Sequence, residues 1–200
     1  MARLPYQVQM HQIFHLTGVR ETASGITLYA DHTFDFYLSF GAIDRHGYGT
    51  WTKENDTVIL TSNYADKKGF AIVAQQKDAL EGYQVSLQNP DPFFAGMMRG
   101  YAIVQATSEE QKADDQGVIQ FAMEHPDKLM LMNALFPDQI VTFIPEPDTN
   151  HMIVQPNHDI FLLHFPEVRC TQEEQTLLVK LPLLSMYFGE RTFVYEQQMQ

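Results

Sequence analysis

The stretch HTFDFYLSF, from His32 to Phe40, alternates apolar and polar side chains with the period of a β-strand. The apolar face carries Phe34, Phe36, Leu38 and Phe40, and the polar face carries Asp35, Tyr37 and Ser39. A strand of this kind buries one face and leaves the other in water. The apolar face either fills a core or lines a pocket that holds a ligand.

The residues that follow this strand predict a β-meander. The segment GAIDRHGYG supplies three glycines for tight turns or a bulge. TWT predicts a second strand, in which Trp51 points away from Thr50 and Thr52. KENDT then predicts a hairpin turn, and VILTS predicts the returning strand.

Short apolar or alternating runs continue between turn signals along the chain, which predicts an all-β fold. Before the meander they are QIFHLTGV and GITLYA, and after it FAIVAQ, YQVSLQ, YAIVQAT, GVIQFAM, KLMLMNA, QIVTFIP, HMIVQP, IFLLHFP, TLLVKLPLL and RTFVYEQQ. SEEQKADD has no apolar stripe and predicts a loop. We therefore expect a small antiparallel meander or partial barrel packed with a larger β-sandwich.

The polar segment SNYADKKG, from Ser62 to Gly69, is the best candidate for a domain boundary. It follows the meander and precedes the more acidic part of the chain. Later proline-bearing breaks, such as NPDPFF and IPEPDTN, are too short to separate two cores and predict turns. We expect a first domain over residues 1–65 and a second domain, including the C-terminal strands, over residues 66–200.

The meander resembles the lipocalin-like or META-like modules found in many uncharacterised bacterial proteins. Those modules carry the signatures D-G-T-F and G-x-W-x-x-x-G-D-x-L-x-L on successive strands. The matching residues here are Asp31, Thr33, Phe34, Gly49, Trp51, Asp56, Val58 and Leu60. His32 and Asn55 stand where the signatures have glycine.

Lipocalin-like modules imply a ligand cavity, and the number of strands argues against one here. About 65 residues yield roughly five strands, whereas a ligand-holding barrel needs about eight. The aromatic side chains of the meander are therefore expected to fill a core. The alternative is that they bind a small apolar ligand, and its candidate residues are Phe34, Phe36, Phe40 and Trp51.

A second resemblance lies in the segment YAIVQATSEEQKADDQGVIQFAMEHPDKLMLMN. It is similar to transthyretin-like or carboxypeptidase-regulatory-like sandwiches, in which a T-D-x-x-G-x-x-x-F turn enters a core strand. Asp114, Asp115, Gly117 and Phe121 match that turn, and Ala113 stands where threonine is common. The aspartates are expected to cap the turn, Gly117 to take positive φ, and Phe121 to enter the core.

Acidic side chains outnumber basic ones: 25 Asp and Glu against 13 Lys and Arg give a net charge of -12. Such a surface repels nucleic-acid phosphates and anionic lipid, so we expect no nucleic-acid partner. No run approaches the roughly 18 apolar residues of a membrane span, so we expect no membrane insertion. The N-terminal sequence does not have the pattern of a signal peptide. The location is cytoplasmic if Met1 is native and periplasmic if the chain is a processed form.

No local motif for catalysis, metals or cofactors is present. Cys170 is the single cysteine and has no histidine beside it, which indicates a structural thiol. The eight histidines form no H-E-x-x-H motif, and His11 and His15 would lie about 13 Å apart along a strand. G-x-S-x-G and glycine-rich phosphate loops are also missing. We expect no catalytic residue, metal or cofactor.

The loop DPFFAGMMRGYA has an unusual set of apolar side chains for a loop. Methionine and aromatic side chains adapt well to partners, so one prediction is a protein-binding surface. The alternative is that this loop covers the end of the sandwich or packs between the two parts of the chain. The candidate partner-binding residues are Phe93, Phe94, Met97 and Met98.

Three functions follow from these observations. The leading hypothesis is a noncatalytic protein-interaction or envelope-associated module that binds another protein. The alternative is a carrier of a small apolar ligand. The third is a hydrolase whose site forms only in space, with a histidine in hydrogen-bond reach of a serine, a cysteine or a carboxylate. The sequence leaves the oligomeric state open.

Overall fold

The computed structural model of this protein describes residues 11–64 and 69–198. They fall into two compact units, one made of residues 11–64 and 161–198, and the other made of residues 69–160. The all-β prediction is confirmed, since strands make up most of both units and only two short α-helices are present in the described ranges.

The secondary structure elements follow one another in three groups. The first group is β1 (His11–Thr17), β2 (Thr22–Tyr29), β3 (Thr33–Phe40), β4 (Ile43–Glu54) and β5 (Thr57–Ser62). The second is β6 (Phe70–Gln76), β7 (Tyr83–Leu87), α1 (Pro92–Gly96), β8 (Met98–Val104), β9 (Thr107–Lys112), β10 (Val118–Phe121), β11 (Lys128–Asn133), β12 (Phe136–Phe143) and β13 (His151–Pro156). After a 3₁₀ helix (His158–Phe161) come β14 (Pro166–Glu173), β15 (Thr176–Val179), α2 (Pro182–Phe188) and β16 (Phe193–Gln197).

The first unit is a closed barrel of eight antiparallel strands. Its order is β1-β16-β15-β14-β5-β4-β3-β2, so strands that follow one another in this unit are also neighbours in space. Five strands come from the predicted first domain and three from the C-terminal part of the chain. The predicted boundaries had placed those three strands with the second part. Their pairing with β5 and β1 instead completes the barrel, and β14 is a strand that the sequence analysis did not identify.

Side chains fill the barrel interior. Phe34, Phe36 and Leu38 of β3 are buried, while the intervening Asp35 and Tyr37 are exposed, as the alternation predicts. An eight-stranded barrel is just wide enough for side chains to occupy its interior. The buried cluster also contains Phe14, Ile26, Leu28, Val58, Leu60, Leu163, Phe165, Val168, Cys170, Leu177, Val179, Leu181, Leu183, Leu184, Phe193 and Tyr195.

Two glycines of β4 are required by close packing, whereas the sequence analysis assigned all three glycines of this segment to turns or a bulge. A Cβ atom on Gly47 would lie 2.5 Å from Phe165 Cε2, and one on Gly49 would lie 2.1 Å from the carbonyl oxygen of Thr61. Of the three glycines in this segment, only Gly41 has positive φ, at 56°. The glycines of β4 therefore let neighbouring chain segments approach the strand.

The second unit has two four-stranded sheets, ordered β10-β7-β13-β6 and β12-β11-β8-β9. Its core consists of Phe70, Tyr83, Val85, Leu87, Ala95, Met98, Ala102, Ile119, Phe121, Leu129, Leu131, Phe136, Met152, Val154 and Ile160. The neighbours β7 and β13 run parallel, and the other paired strands of this unit run antiparallel.

The predicted turn before β10 is confirmed for Asp114, Gly117 and Phe121. Asp114 Oδ1 accepts hydrogen bonds from the backbone N–H groups of Gln116 and Val118, both at 2.9 Å. Gly117 has a φ of 72°, which glycine adopts without steric cost. Phe121 is fully buried.

Several local predictions were wrong. SEEQKADD contributes β9 rather than a loop, because pairing with β8 at a sheet edge needs no buried side chain. IFLLHFP begins in a 3₁₀ helix rather than a strand. The loop after Asp91 is the helix α1, because the Asp91 side chain accepts from Phe94 N and proline occupies the first turn. TLLVKLPLL divides into β15 and the start of α2 at Pro182.

Replacing Gly49 with alanine should destabilise the barrel by about 2 kcal/mol, because the added methyl group overlaps the Thr61 carbonyl. Urea titration followed by the fluorescence of Trp51, the single tryptophan, measures this change. Gly96→Ala is the control, since its Cβ would have no neighbour within 4 Å. Equal midpoints for Gly49→Ala and the unmodified protein would contradict the packing described for β4.

The Cys170 thiol should not react with a disulfide reagent while the barrel is folded. Its side chain is fully buried, and burial raises the pKa of the thiol to about 12. We expect no modification by dithionitrobenzoate at pH 8 in buffer and complete modification in urea. Rapid reaction of the folded protein would show that the barrel interior is accessible.

Candidate functional site

The four aromatic residues predicted to bind a ligand occupy different places in the barrel unit. Phe34 and Phe36 lie in the barrel core, with their rings 5.2 and 5.3 Å from the ring of Phe165. Phe40 and Trp51 are half-buried at opposite ends of β3. Trp51 Nε1 donates to the carbonyl oxygen of Tyr29 at 2.9 Å.

The residues predicted to bind a partner differ in their exposure to solvent. Phe93 of α1 is 54% exposed, whereas Met98, the first residue of β8, is fully buried. Phe94 and Met97 are half-buried, and the Phe94 ring lies 6.2 Å from that of Phe70. Of this set, Phe93 is the side chain most open to solvent.

Three polar side chains of the second unit form a hydrogen-bonded line that the sequence analysis did not identify. His151 Nδ1 lies 2.7 Å from Asp78 Oδ2, and His151 Nε2 lies 2.8 Å from Ser86 Oγ. Both distances are within hydrogen-bond reach. The order of the groups is that of a nucleophile, its base and the carboxylate that orients the base. We call Ser86, His151 and Asp78 the serine triad.

The pairing of β7 with β13 brings Ser86 and His151 together. Tyr83, Val85 and Leu87 of β7 point into the core, so Gln84 and Ser86 lie on the opposite face of the sheet. The parallel register places His151 beside Gln84, which is two residues before Ser86 on the same face of the sheet. The first residue of β13 therefore meets the serine on the face that turns away from the core.

Asp78 lies between β6 and β7 and is held by Asn150, the residue before His151. Asn150 Oδ1 accepts the Asp78 N–H at 2.8 Å, and Asn150 Nδ2 donates to the carbonyl oxygens of Asp78 and Leu80, both at 3.1 Å. Asn150 is itself 1% exposed. This clamp ties the backbone of Asp78 to the start of β13, so the carboxylate and the imidazole keep a fixed separation.

A second hydrogen bond keeps Asp78 ionised. Gln76 Nε2 donates to Asp78 Oδ2 at 2.9 Å. The hydrogen bonds from Gln76 and then from His151 hold the pKa of the Asp78 carboxyl below its ordinary value. An ionised carboxylate accepts the Nδ1–H of His151, which leaves the lone pair of Nε2 facing Ser86 Oγ. That tautomer is the one a base needs to take the serine proton.

The triad is shielded from water to different degrees along its length. The His151 side chain is 11% exposed, and the Asp78 side chain is 36% exposed. Ser86 is half-buried. A shielded imidazole beside a half-exposed carboxylate can exchange a proton with the serine while the serine oxygen stays within reach of a substrate.

A surface groove of about 730 Å³ lies elsewhere, in the barrel unit next to α2. Its lining residues are Lys180, Pro182, Ser185, Met186, Glu190, Arg191 and Thr192. It contains no residue of the triad and none of the predicted ligand-binding or partner-binding residues.

Within residues 11–64 and 69–198, no group of three or more His, Cys, Asp or Glu side chains is arranged to hold a metal ion. No helix in those ranges is long and apolar enough to cross a membrane.

The sequence contained few signals for this site. Ser86 was visible as an outward residue of the alternating run YQVSLQ, and His151 as the first residue of HMIVQP. Ser86 and His151 are 65 residues apart, and no spacing rule predicts that their strands pair in parallel. Comparisons with protein-family models, with curated proteins and with solved structures found no match.

The carboxyl of Asp78 should titrate below the ordinary range for aspartate, and Gln76→Ala should raise its pKa because the largest cause of the shift is removed. Because the pKa of Asp78 is lower in the folded state than in the unfolded state, its ionised carboxylate stabilises the fold at pH values above the unfolded pKa. That stabilisation is lost as the pH falls through the folded pKa. Carbon NMR of aspartate-labelled protein across acidic pH measures the titration. Gln120→Ala is the control, because the Gln120 amide donates to the Glu81 carbonyl and not to Asp78. An unchanged pKa in Gln76→Ala would contradict this assignment.

Proposed function

We propose that this protein is a hydrolase that cleaves acyl compounds through Ser86, with the serine triad as its catalytic site. The observation that carries the proposal is the pair of short hydrogen bonds from His151, 2.8 Å to Ser86 Oγ and 2.7 Å to Asp78 Oδ2. From the sequence, a hydrolase was the third of three hypotheses, because none of the three residues belongs to a local motif. The geometry supports it over the two other hypotheses.

The reaction proceeds in two steps. Ser86 Oγ attacks the carbonyl carbon of the acyl compound while His151 Nε2 takes the hydroxyl proton, and Asp78 stabilises the resulting imidazolium. The tetrahedral intermediate collapses, the leaving group departs with the proton from His151, and an acyl ester remains on Ser86. Water then attacks this ester, His151 takes a proton from the water, and the free acid leaves as the proton returns to Ser86 Oγ.

The carrier hypothesis has less support from the geometry. It requires an apolar cavity of roughly 300 Å³ or more beside the candidate aromatic residues. Phe34 and Phe36 instead pack against Phe165 in a barrel filled by side chains. A ligand there would have to displace core side chains.

Protein binding remains a second candidate function, and it is favoured by Phe93. This side chain is 54% exposed at the start of α1, and exposed aromatic side chains are frequent anchors of protein interfaces. Phe94 and Met97 are half-buried beside it, whereas the buried Met98 would contribute nothing to a contact. A partner at Phe93 is compatible with catalysis at Ser86.

We also infer that the barrel is of the lipocalin-like or META-like type and that the second unit is of the carboxypeptidase-regulatory-like type. His32 and Asn55 each occupy the glycine position of one of the two barrel signatures, and their φ angles of 65° and 54° are positive, as glycine positions allow. The Asp114 turn with Gly117 supports the second assignment. Neither resemblance supplies a catalytic residue.

The hydrolysis of p-nitrophenyl acetate tests the proposed function. We expect the purified protein to release p-nitrophenol faster than buffer, and Ser86→Ala to return the rate to that of buffer because the attacking oxygen is lost.

Ser108→Ala is the matched control for this experiment, since Ser108 lies exposed on β9 of the same unit. It should retain the full rate. A Ser86→Ala variant that folds normally and hydrolyses the ester as fast as the unmodified protein would overturn the proposed function.

A further inference from the structure

An acyl-transfer site must stabilise the negative oxygen that forms during attack, and in this site the strand backbone does not do so. Backbone N–H groups near a nucleophile often serve as donors to that oxygen. Here the N–H of Leu87, the residue after Ser86, donates to the carbonyl of Gly117 at 2.9 Å. The N–H groups of Gln84 and Gln88 donate to Asn150 and Val154 of the neighbouring segment at 2.8 and 2.7 Å. Sheet pairing therefore uses the N–H groups that flank the serine.

A side-chain amide lies where a backbone donor is missing. Gln84 is two residues before Ser86 on the same strand, so both side chains project from the same face of the sheet. Gln84 Nε2 lies 2.9 Å from Ser86 Oγ and 3.3 Å from His151 Nε2. The amide nitrogen therefore contacts both the attacking oxygen and the base.

The proton balance of the site fixes the direction of these bonds. The lone pair of His151 Nε2 accepts one proton, and Ser86 Oγ lies closer to it than Gln84 Nε2 does. Ser86 then donates to His151, and Gln84 donates to Ser86 Oγ. An amide nitrogen carries two N–H groups, so Gln84 keeps a donor for a second oxygen bound beside the serine.

We propose that Gln84 is the oxyanion donor of this site, and this inference rests on the proposed function. When Ser86 Oγ bonds to a carbonyl carbon, the carbonyl oxygen becomes an anion within a few ångströms of Oγ. The Gln84 amide donates to that oxygen and is a catalytic residue in this sense. Side-chain amides in this role contribute a factor of about 100 to 1,000 in kcat.

The donor also indicates the class of substrate. A peptide bond is a harder substrate than an ester, because its leaving nitrogen must be protonated and its oxyanion needs strong stabilisation. One neutral amide in place of paired backbone donors is a modest oxyanion site. The geometry points to carboxylic esters, whose leaving oxygen departs readily, as the substrates of Ser86.

Steady-state hydrolysis of p-nitrophenyl acetate by Gln84→Ala and Gln84→Met tests this role. Methionine has nearly the length of glutamine but carries no N–H, so it preserves packing and removes the donor. We expect both variants to lower kcat about 100-fold or more while KM changes little, because the donor acts on the transition state. Urea midpoints that match the unmodified protein exclude a merely structural effect.

The matched control is Gln120→Ala, which removes a glutamine opposite Gln84 in the same sheet. It should leave kcat unchanged. If Ser86→Ala abolishes hydrolysis but the Gln84→Met variant retains the full kcat, the oxyanion role of Gln84 is overturned and the proposed function stands. If Ser86→Ala also hydrolyses the ester at the full rate, both are overturned.

Discussion

The parallel pairing of β7 with β13 is the constraint on which the site depends. It brings the side chains of Ser86 and His151 within hydrogen-bond reach, although these residues are 65 positions apart in the chain. Parallel neighbours cannot be connected by a hairpin. The long connection between β7 and β13 contains the four strands of the opposite sheet of the unit. The same pairing buries Val85 and Met152 in the core and turns Ser86 and His151 to the other face. Core formation and site assembly are thus consequences of one register.

The remaining member of the triad depends on that register through Asn150. This buried amide directly precedes β13, and it holds the backbone of Asp78 by two hydrogen bonds. A buried amide without partners would cost free energy, so the clamp is favoured in the folded state. The three residues of the triad therefore lie in line because the backbone segments that carry them are fixed. Gln76 donates to Asp78 at one end of the triad, and Gln84 donates to Ser86 at the other end.

The amount of this structure that the sequence predicts differs between elements. The alternation of residues 33–40 predicts β3 and its buried face, and Asp114 with Gly117 predicts the turn before β10, because both are local patterns. β14 was not predicted because its inward Cys170 lies between the polar residues Arg169 and Thr171. It forms a strand because it pairs with β5 and β15. Barrel closure depends on residues 166–197 pairing with β1 and β5, which no local pattern specifies. The triad is the extreme case, since each of its residues belongs to a different segment and forms no motif.

The most direct test of the account is to identify the residue that reacts with a fluorophosphonate. This reagent transfers its phosphonyl group to an activated serine oxygen and releases fluoride, with the serine proton taken up by the base. After treatment of the folded protein, peptide mapping by mass spectrometry should find one phosphonyl group on Ser86, and none after Ser86→Ala or after unfolding in urea. A folded protein in which Ser86 stays unmodified under these conditions would contradict the account.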